Sequence, residues 1–176
     1  MLPTLSIRDV VLVDALDLEV EDGLTVLTGE TGAGKSIILD ALGLALGARS
    51  DAGLVRNGAK QASATAVFTA PDDEALIALL SERGFEVAPG EELILRRVVS
   101  ADGRSRAYVN DQPAGVTALR EIGALLVEVH GQHETVGLLD WKTHRALLDN
   151  YGGLQPQLAG VAGAAERLKA AQAHLD

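Results

Sequence analysis

Along residues 16–20, Leu16, Leu18 and Val20 alternate with Asp17 and Glu19. A period of two is that of a strand with one buried face, and residues 5–13 and 15–20 are expected as two strands. Asp22-Gly23 then turns the chain into the apolar run Leu24-Thr25-Val26-Leu27, which reads as a buried strand. A second apolar run over residues 37–46 reads as a buried helix ending near Gly47. Residues 48–61 read as a loop carrying Arg49 and Arg56, and residues 63–69 as another strand. Residues 73–83 suggest a helix stopped by Gly84. Residues 93–100 and 104–110 form a hairpin pattern around Ala101-Asp102-Gly103, whose Asp-Gly pair supplies the turn. A helix over 117–126, a strand at Val127-Glu128-Val129-His130 and a helix over 142–151 complete this part, with Gly152-Gly153 as the break.

The last segment has another period. Leu154, Leu158, Val161, Ala165, Leu168, Gln172 and Leu175 recur in steps of four and three. Such spacing marks a helix that packs along a partner helix. Pro156 is tolerated only in a first turn, so the helix is expected to begin there. The chain therefore divides into residues 1–153 and a helical arm over 154–176, whose heptads carry no stop signal and imply a longer coiled coil.

Composition narrows the class without naming it. A chain of 176 residues with 47% hydrophobic content builds one proper core and is no disordered tail. Cysteine is absent, which fits a reducing cytosol. No segment has the apolar length of a membrane span, so a cytoplasmic protein without membrane contact is expected. The formal net charge of −10 argues against a wholesale electrostatic grip on nucleic acid.

The chemistry lies between the Leu24–Leu27 run and the helix that follows. Gly29-Glu30-Thr31-Gly32-Ala33-Gly34-Lys35-Ser36 matches the phosphate-binding P-loop at every required position. Its glycines let the backbone curl so that successive N–H groups and a helix N-terminus face an anionic phosphate chain. Lys35 would neutralise the β/γ-phosphates, and the Ser36 hydroxyl would complete the coordination of Mg²⁺. ATP and Mg²⁺ are the expected cofactors. Hydrolysis also needs an acid that holds Mg²⁺ through water and a group that orients the attacking water. Glu128 has Val129 and His130 beyond it, Asp149 falls in an expected helix, and no guanine-reading Asn-Lys-x-Asp follows. Tyr151-Gly152-Gly153-Leu154-Gln155 lacks the serine of an ABC signature. Phosphate-binding equipment is present without a full hydrolytic set.

Together these segments resemble the N-terminal half of an ABC-type head from the SMC-like ATPases, most closely the bacterial RecN family of DNA double-strand-break repair. The likeness rests on the P-loop wording, on Gly47-Ala48-Arg49-Ser50 with Leu54-Val55-Arg56-Asn57-Gly58-Ala59, on Gly103-Arg104-Ser105-Arg106-Ala107-Tyr108-Val109-Asn110, and on His130-Gly131-Gln132-His133-Glu134. Asp9-Val10-Val11 stands where an Asn-Phe-Ala wording is usual. The resemblance implies an α/β P-loop NTPase fold with a β-hairpin-rich antiparallel part. It implies a split head: the signature, Walker B and switch histidine come from a C-terminal half beyond a long coiled coil, and two protomers sandwich ATP. Residues 29–37 would then contact nucleotide, and Arg56, which resembles an arginine lying near phosphates or DNA in SMC heads, is expected at the nucleotide, with a solvated loop arginine as the alternative reading. Gln132 would be the Q-loop glutamine, catalytic together with Lys35 and sharing the metal with Ser36. Expected partners are the C-terminal half of the same head, a second protomer and DNA, in a nucleoid-associated protein.

Several residues invite other readings. His130, His133 and His144 fit no compact zinc spacing, and no cysteine assists. Arg96, Arg97, Arg104 and Arg106 gather positive charge on the hairpin, where they would meet DNA phosphates, pair with local carboxylates or guard strand edges. Two alternatives stand beside the half-head: a complete small phosphotransferase using Glu128 for Mg²⁺, and a non-enzymatic dimerisation piece driven by the heptads.

Overall fold

A computed structural model describes residues 2–30, 34–50, 52–129, 144–145, 148–149 and 151–173. The chain forms two units, Met1–Val129 and His130–Asp176.

The first unit is built on a six-stranded antiparallel sheet. Its strands are β1 (Thr4–Val10), β2 (Val13–Glu19), β3 (Gln61–Thr69), β4 (Glu92–Ser100), β5 (Ser105–Val109) and β6 (Gln112–Ala114), in the order β2-β1-β3-β4-β5-β6. Helices α1 (Lys35–Ala45), α2 (Glu74–Glu82) and α3 (Val116–Leu126) complete the unit. The period-two pattern sorts each strand into faces. Leu5 and Ile7, then Ala62, Ala64, Ala66 and Phe68, then Leu93, Leu95 and Val99 are all buried. The opposite face carries Ser6, Arg8, Ser63, Thr65, Arg96 and Val98, half-buried or exposed. Three alanines along β3 keep its inner face shallow, and α1 lies across β3 with its flanks on β1 and β4. Each fully buried Leu, Ile or Phe contributes about 1.5–3 kcal/mol, and this layer holds the unit together.

Local chemistry starts and stops the elements. Asp73 caps α2 by accepting from the Leu76 N–H at 3.0 Å, and Glu74 complements the helix dipole. The β4–β5 turn closes where Ser100 accepts from the Gly103 N–H and donates to the Arg104 carbonyl. Asn110 and Asp111, at φ 45° and 63°, form a tight left-handed turn into β6. The Asn110 carboxamide steadies it by accepting from the Ile94 N–H at 2.7 Å. At the end of α1, a Cβ on Gly47 (φ +85°) would stand 2.8 Å from the Arg120 nitrogen and the Val116 oxygen of α3. Only glycine allows α1 and α3 to approach so closely.

Two expectations fail. Leu24–Leu27 is not a strand: Leu24, Val26 and Leu27 are 91%, 68% and 45% exposed. Val127 is extended, but residues 127–129 join no sheet, with Val127 and Val129 half-buried and Glu128 exposed. The reason is the same in both places. An apolar run becomes a strand only where another strand accepts its backbone N–H and C=O groups, and neither run has one among the described residues. The strand β6 was not anticipated.

In the second unit, α4 (Gln155–Ala173) begins as expected with Pro156 in its first turn. Leu154, Val161 and Leu168, seven residues apart, are 38%, 62% and 61% exposed. The expected helix over 142–151 is helical at its described positions 144–145, 148–149 and 151.

Candidate functional site

The P-loop sequence leads from the exposed Leu24–Leu27 run into α1. Thr31, Gly32 and Ala33 lie outside the described residues. Gly34 takes the left-handed conformation (φ 88°) and begins the helix: its carbonyl accepts from the Ile37 N–H at 3.0 Å. No side chain caps α1, and its first turn holds no acid. First-turn N–H groups thus remain for an external anion, which the helix dipole also favours. The Lys35 ammonium donates to the Gly29 carbonyl and, at 2.7 Å, to the Glu30 carbonyl. Both partners are neutral backbone oxygens, so no carboxylate among the described residues cancels the lysine charge. Ser36 is exposed in the first turn, and Ile37 turns inward against the core. Uncapped amides, an uncompensated cation and an exposed hydroxyl are the donor set that a magnesium-bound triphosphate requires. Gln132 lies outside the described residues, as do His130, His133 and Glu134.

Arg56 is engaged elsewhere in the first unit. Its Nε donates to Asp9 Oδ1 at 2.9 Å and its Nη2 to Asp14 Oδ1 at 2.7 Å. These bonds, Asp9 above all, raise the guanidinium pKa further. The register sets Arg8 against Ala15 and Val10 against Val13, placing Asp9 across the hairpin from Asp14. Opposed like charges destabilise a strand pair, and Arg56 bridges them. The backbone reinforces the contact: Arg56 N–H donates to the Asp9 carbonyl and Val11 N–H to the Leu54 carbonyl, both at 2.9 Å. Asp9 and Val11 have φ of 53° and 50°, strain of about 1–3 kcal/mol each that surrounding contacts must hold. A pair of acids placed symmetrically about a two-residue turn was the available signal in the sequence.

The four hairpin arginines separate. Arg97 turns inward, 3% exposed, in phase with Leu93, Leu95 and Val99. Its neighbours across the sheet are Ala64 and Ala107, whose small side chains leave it room. Arg97 Nη2 donates to Ser105 Oγ at 2.9 Å and Ser50 Oγ at 3.3 Å, while Nε and Nη1 find no partner among the described residues. Burial first, and the nearby Arg120 charge second, lower its pKa. Arg120 itself donates to the Gly47 carbonyl at 3.1 Å. Arg120 thus meets the backbone leaving α1, and Arg97 meets the Ser50 hydroxyl just beyond it. Arg96 stays on the outer face, over the Tyr108 ring at 4.6 Å and beside Asp111 at 3.1 Å. Arg104 and Arg106 are exposed.

Comparison with known proteins agrees with this architecture. Residues 4–97 match the AAA domain family. The DNA repair protein RecN of Vibrio cholerae is 43% identical over 153 residues, covering 87% of this chain and 27% of that protein. RecN of Bacillus subtilis is 39% identical over 159 residues, covering 90% of this chain and 27% of that protein. The chain therefore spans just over a quarter of these relatives' length. A solved structure of an SMC ATPase, described for ATP-driven dimerization and DNA-stimulated activation, superposes with a TM-score of 0.57 at 24% identity. That match covers 72% of this chain and 80% of the other, and it shows the ABC-type head fold. The chain is similar over most of its length to part of the DNA repair protein RecN, and it belongs to the AAA domain family.

Proposed function

We propose that this chain is the nucleotide-binding half of an ATPase head that works in DNA double-strand-break repair and recombination. The observation that carries the proposal is the start of α1: a P-loop sequence and, among the described residues, a helix without a capping side chain and a lysine bonded only to loop carbonyls. Gly29–Ile37 would hold the triphosphate, with Lys35 turned from the loop carbonyls to neutralise the β/γ-phosphates and Ser36 as a ligand for Mg²⁺. Arg56 approaches the same phosphates. Gln132 offers one amide oxygen to the metal and the attacking water. Bound MgATP supplies the phosphoanhydride; the residues of this chain hold its charge and fix its position.

Hydrolysis draws on a complementary C-terminal half. Leu24, Val26 and Leu27 support that reading, since they present an exposed apolar segment that pairs with no strand among the described residues. A second protomer closes over the nucleotide, and DNA engages the assembled head. The SMC ATPase described for ATP-driven dimerization and DNA-stimulated activation supports both partners. The exposed heptad row of α4 suits the root of a coiled-coil arm. Among the described residues no helix is long and apolar enough to cross a membrane, in keeping with work on DNA in the cytoplasm.

Titration calorimetry tests the reading. MgATP is expected to bind residues 1–176, and Lys35→Ala to abolish uptake. Robust turnover by these residues alone, lost in Lys35→Ala, would refute the half-head. No uptake even with the complementary polypeptide restored would refute nucleotide binding itself.

A further inference from the structure

We propose that Asp9 and Asp14 are positioning residues that hold Arg56 away from the nucleotide, so that ATP must draw the guanidinium off the β1–β2 hairpin. The inference rests on the assignment of Arg56 to the phosphates but adds what competes with them. Arg56 lies between two carboxylates, at 2.9 and 2.7 Å, on directly opposed strand positions. It occupies the same ground as the hairpin tip, because Val11 N–H and Arg56 N–H both cross between the two segments and Val10 bridges to Val55.

The tip is also set to move when the guanidinium leaves. Asp9 and Val11 are left-handed although neither is glycine, and Val11 is β-branched, a residue poorly suited to that region. Leu12, at the point of the turn, is 78% exposed and adds little packing. Without Arg56, two carboxylates face each other across a strained turn, and repulsion and strain both favour opening. Phosphate binding and tip closure thus use the same cation and oppose each other. By linkage, the factor by which the carboxylate clamp weakens nucleotide binding is the factor by which nucleotide weakens the clamp.

The experiment measures MgATP affinity of the chain by calorimetry for the parent, Asp14→Asn, Arg56→Ala and the double variant. Hydrogen exchange at the Val11 amide is followed alongside. Asp14 is 78% exposed, so its loss removes one solvent-screened ion pair, and affinity should rise about two- to fivefold. Arg56→Ala should weaken binding and cancel the effect of Asp14→Asn. MgATP should speed exchange at Val11 in the parent and leave Arg56→Ala, already fast, unchanged. If Arg56→Ala weakens binding while Asp14→Asn changes nothing, the restraint is refuted and the nucleotide role of Arg56 stands. If Asp14→Asn tightens binding equally with and without Arg56, the carboxylate acts by direct repulsion of the triphosphate, which also refutes it. If Arg56→Ala leaves affinity intact, the assignment of Arg56 falls and the restraint falls with it.

Discussion

Gly47→Ala tests the junction between the P-loop helix and α3 with one methyl group. The new Cβ would stand 2.8 Å from two backbone atoms of α3, Arg120 N and Val116 O, which no rotamer change can clear. Its φ of +85° adds a left-handed penalty of about 1–2 kcal/mol for any L side chain. Overpacking against a rigid helix costs about 1–3 kcal/mol more. The sum, roughly 2–5 kcal/mol, is a large share of the 5–15 kcal/mol typical of a domain. For a chain of this size it corresponds to a drop of roughly 4–20 °C in Tm. The control is Gly58→Ala, with φ +86° but open space around its Cβ, which should lose only the left-handed penalty of about 1–2 kcal/mol. Urea unfolding of the parent and both variants separates conformation from crowding. If the two variants lose equal stability, crowding at the α1–α3 crossing contributes nothing and the close approach is not a constraint.

Other expectations follow from single side chains. Val26→Asp should change stability by less than about 0.5 kcal/mol because the site is exposed, yet it should prevent co-purification with the complementary half; unimpaired association would sink the strand-docking idea. Arg97→Met removes a buried cation bonded, among the described residues, only to hydroxyls, so the unfolding free energy from urea titration should hold or rise, by up to about 4 kcal/mol. A clear loss would mean that its bonds to Ser50 and Ser105 outweigh its desolvation. The Ser6 hydroxyl first, and Arg8 second, hold the Asp17 carboxyl below its ordinary range. Its contribution is therefore complete above the unfolded value near ~3.9 and fades as pH falls through the lower folded value; Asp17→Asn should flatten acid unfolding in that window. Replacing Arg104 and Arg106 by alanine should weaken duplex DNA binding by the assembled head and reduce its salt slope. Arg97, turned inward, should be absent from any such footprint.

Elements whose burial is decided locally were legible from sequence. The β1–β2 and β4–β5 hairpins, β3 and α2 each carry their own alternation, cap or turn, and they appear within a few residues of expectation. The Leu24–Leu27 run misled because an apolar run reports that a surface needs covering without saying which chain segment covers it. β6 escaped notice because three residues that include a proline carry no periodic signal, and its turn uses Asn110 and Asp111 in place of glycine. At the site, the P-loop was readable as words and Lys35 followed from them. Arg97 was misjudged as part of an outward ribbon although it lies two residues after Leu95 and two before Val99, on the inward phase. The Arg56 clamp spans 47 and 42 residues to its two acids, a separation at which a single sequence shows the paired acids about their turn but not the arginine that bridges them.

The small strand β6 has a consequence for behaviour in solution. Pro113, at its centre opposite Tyr108, has no N–H to offer a further strand. A three-residue margin interrupted by proline cannot template the end-to-end growth by which open sheets polymerise into fibres. Association of concentrated preparations should therefore not grow from this margin of the sheet, and the β2 margin and the greasy stretch before the P-loop are the places to look for it.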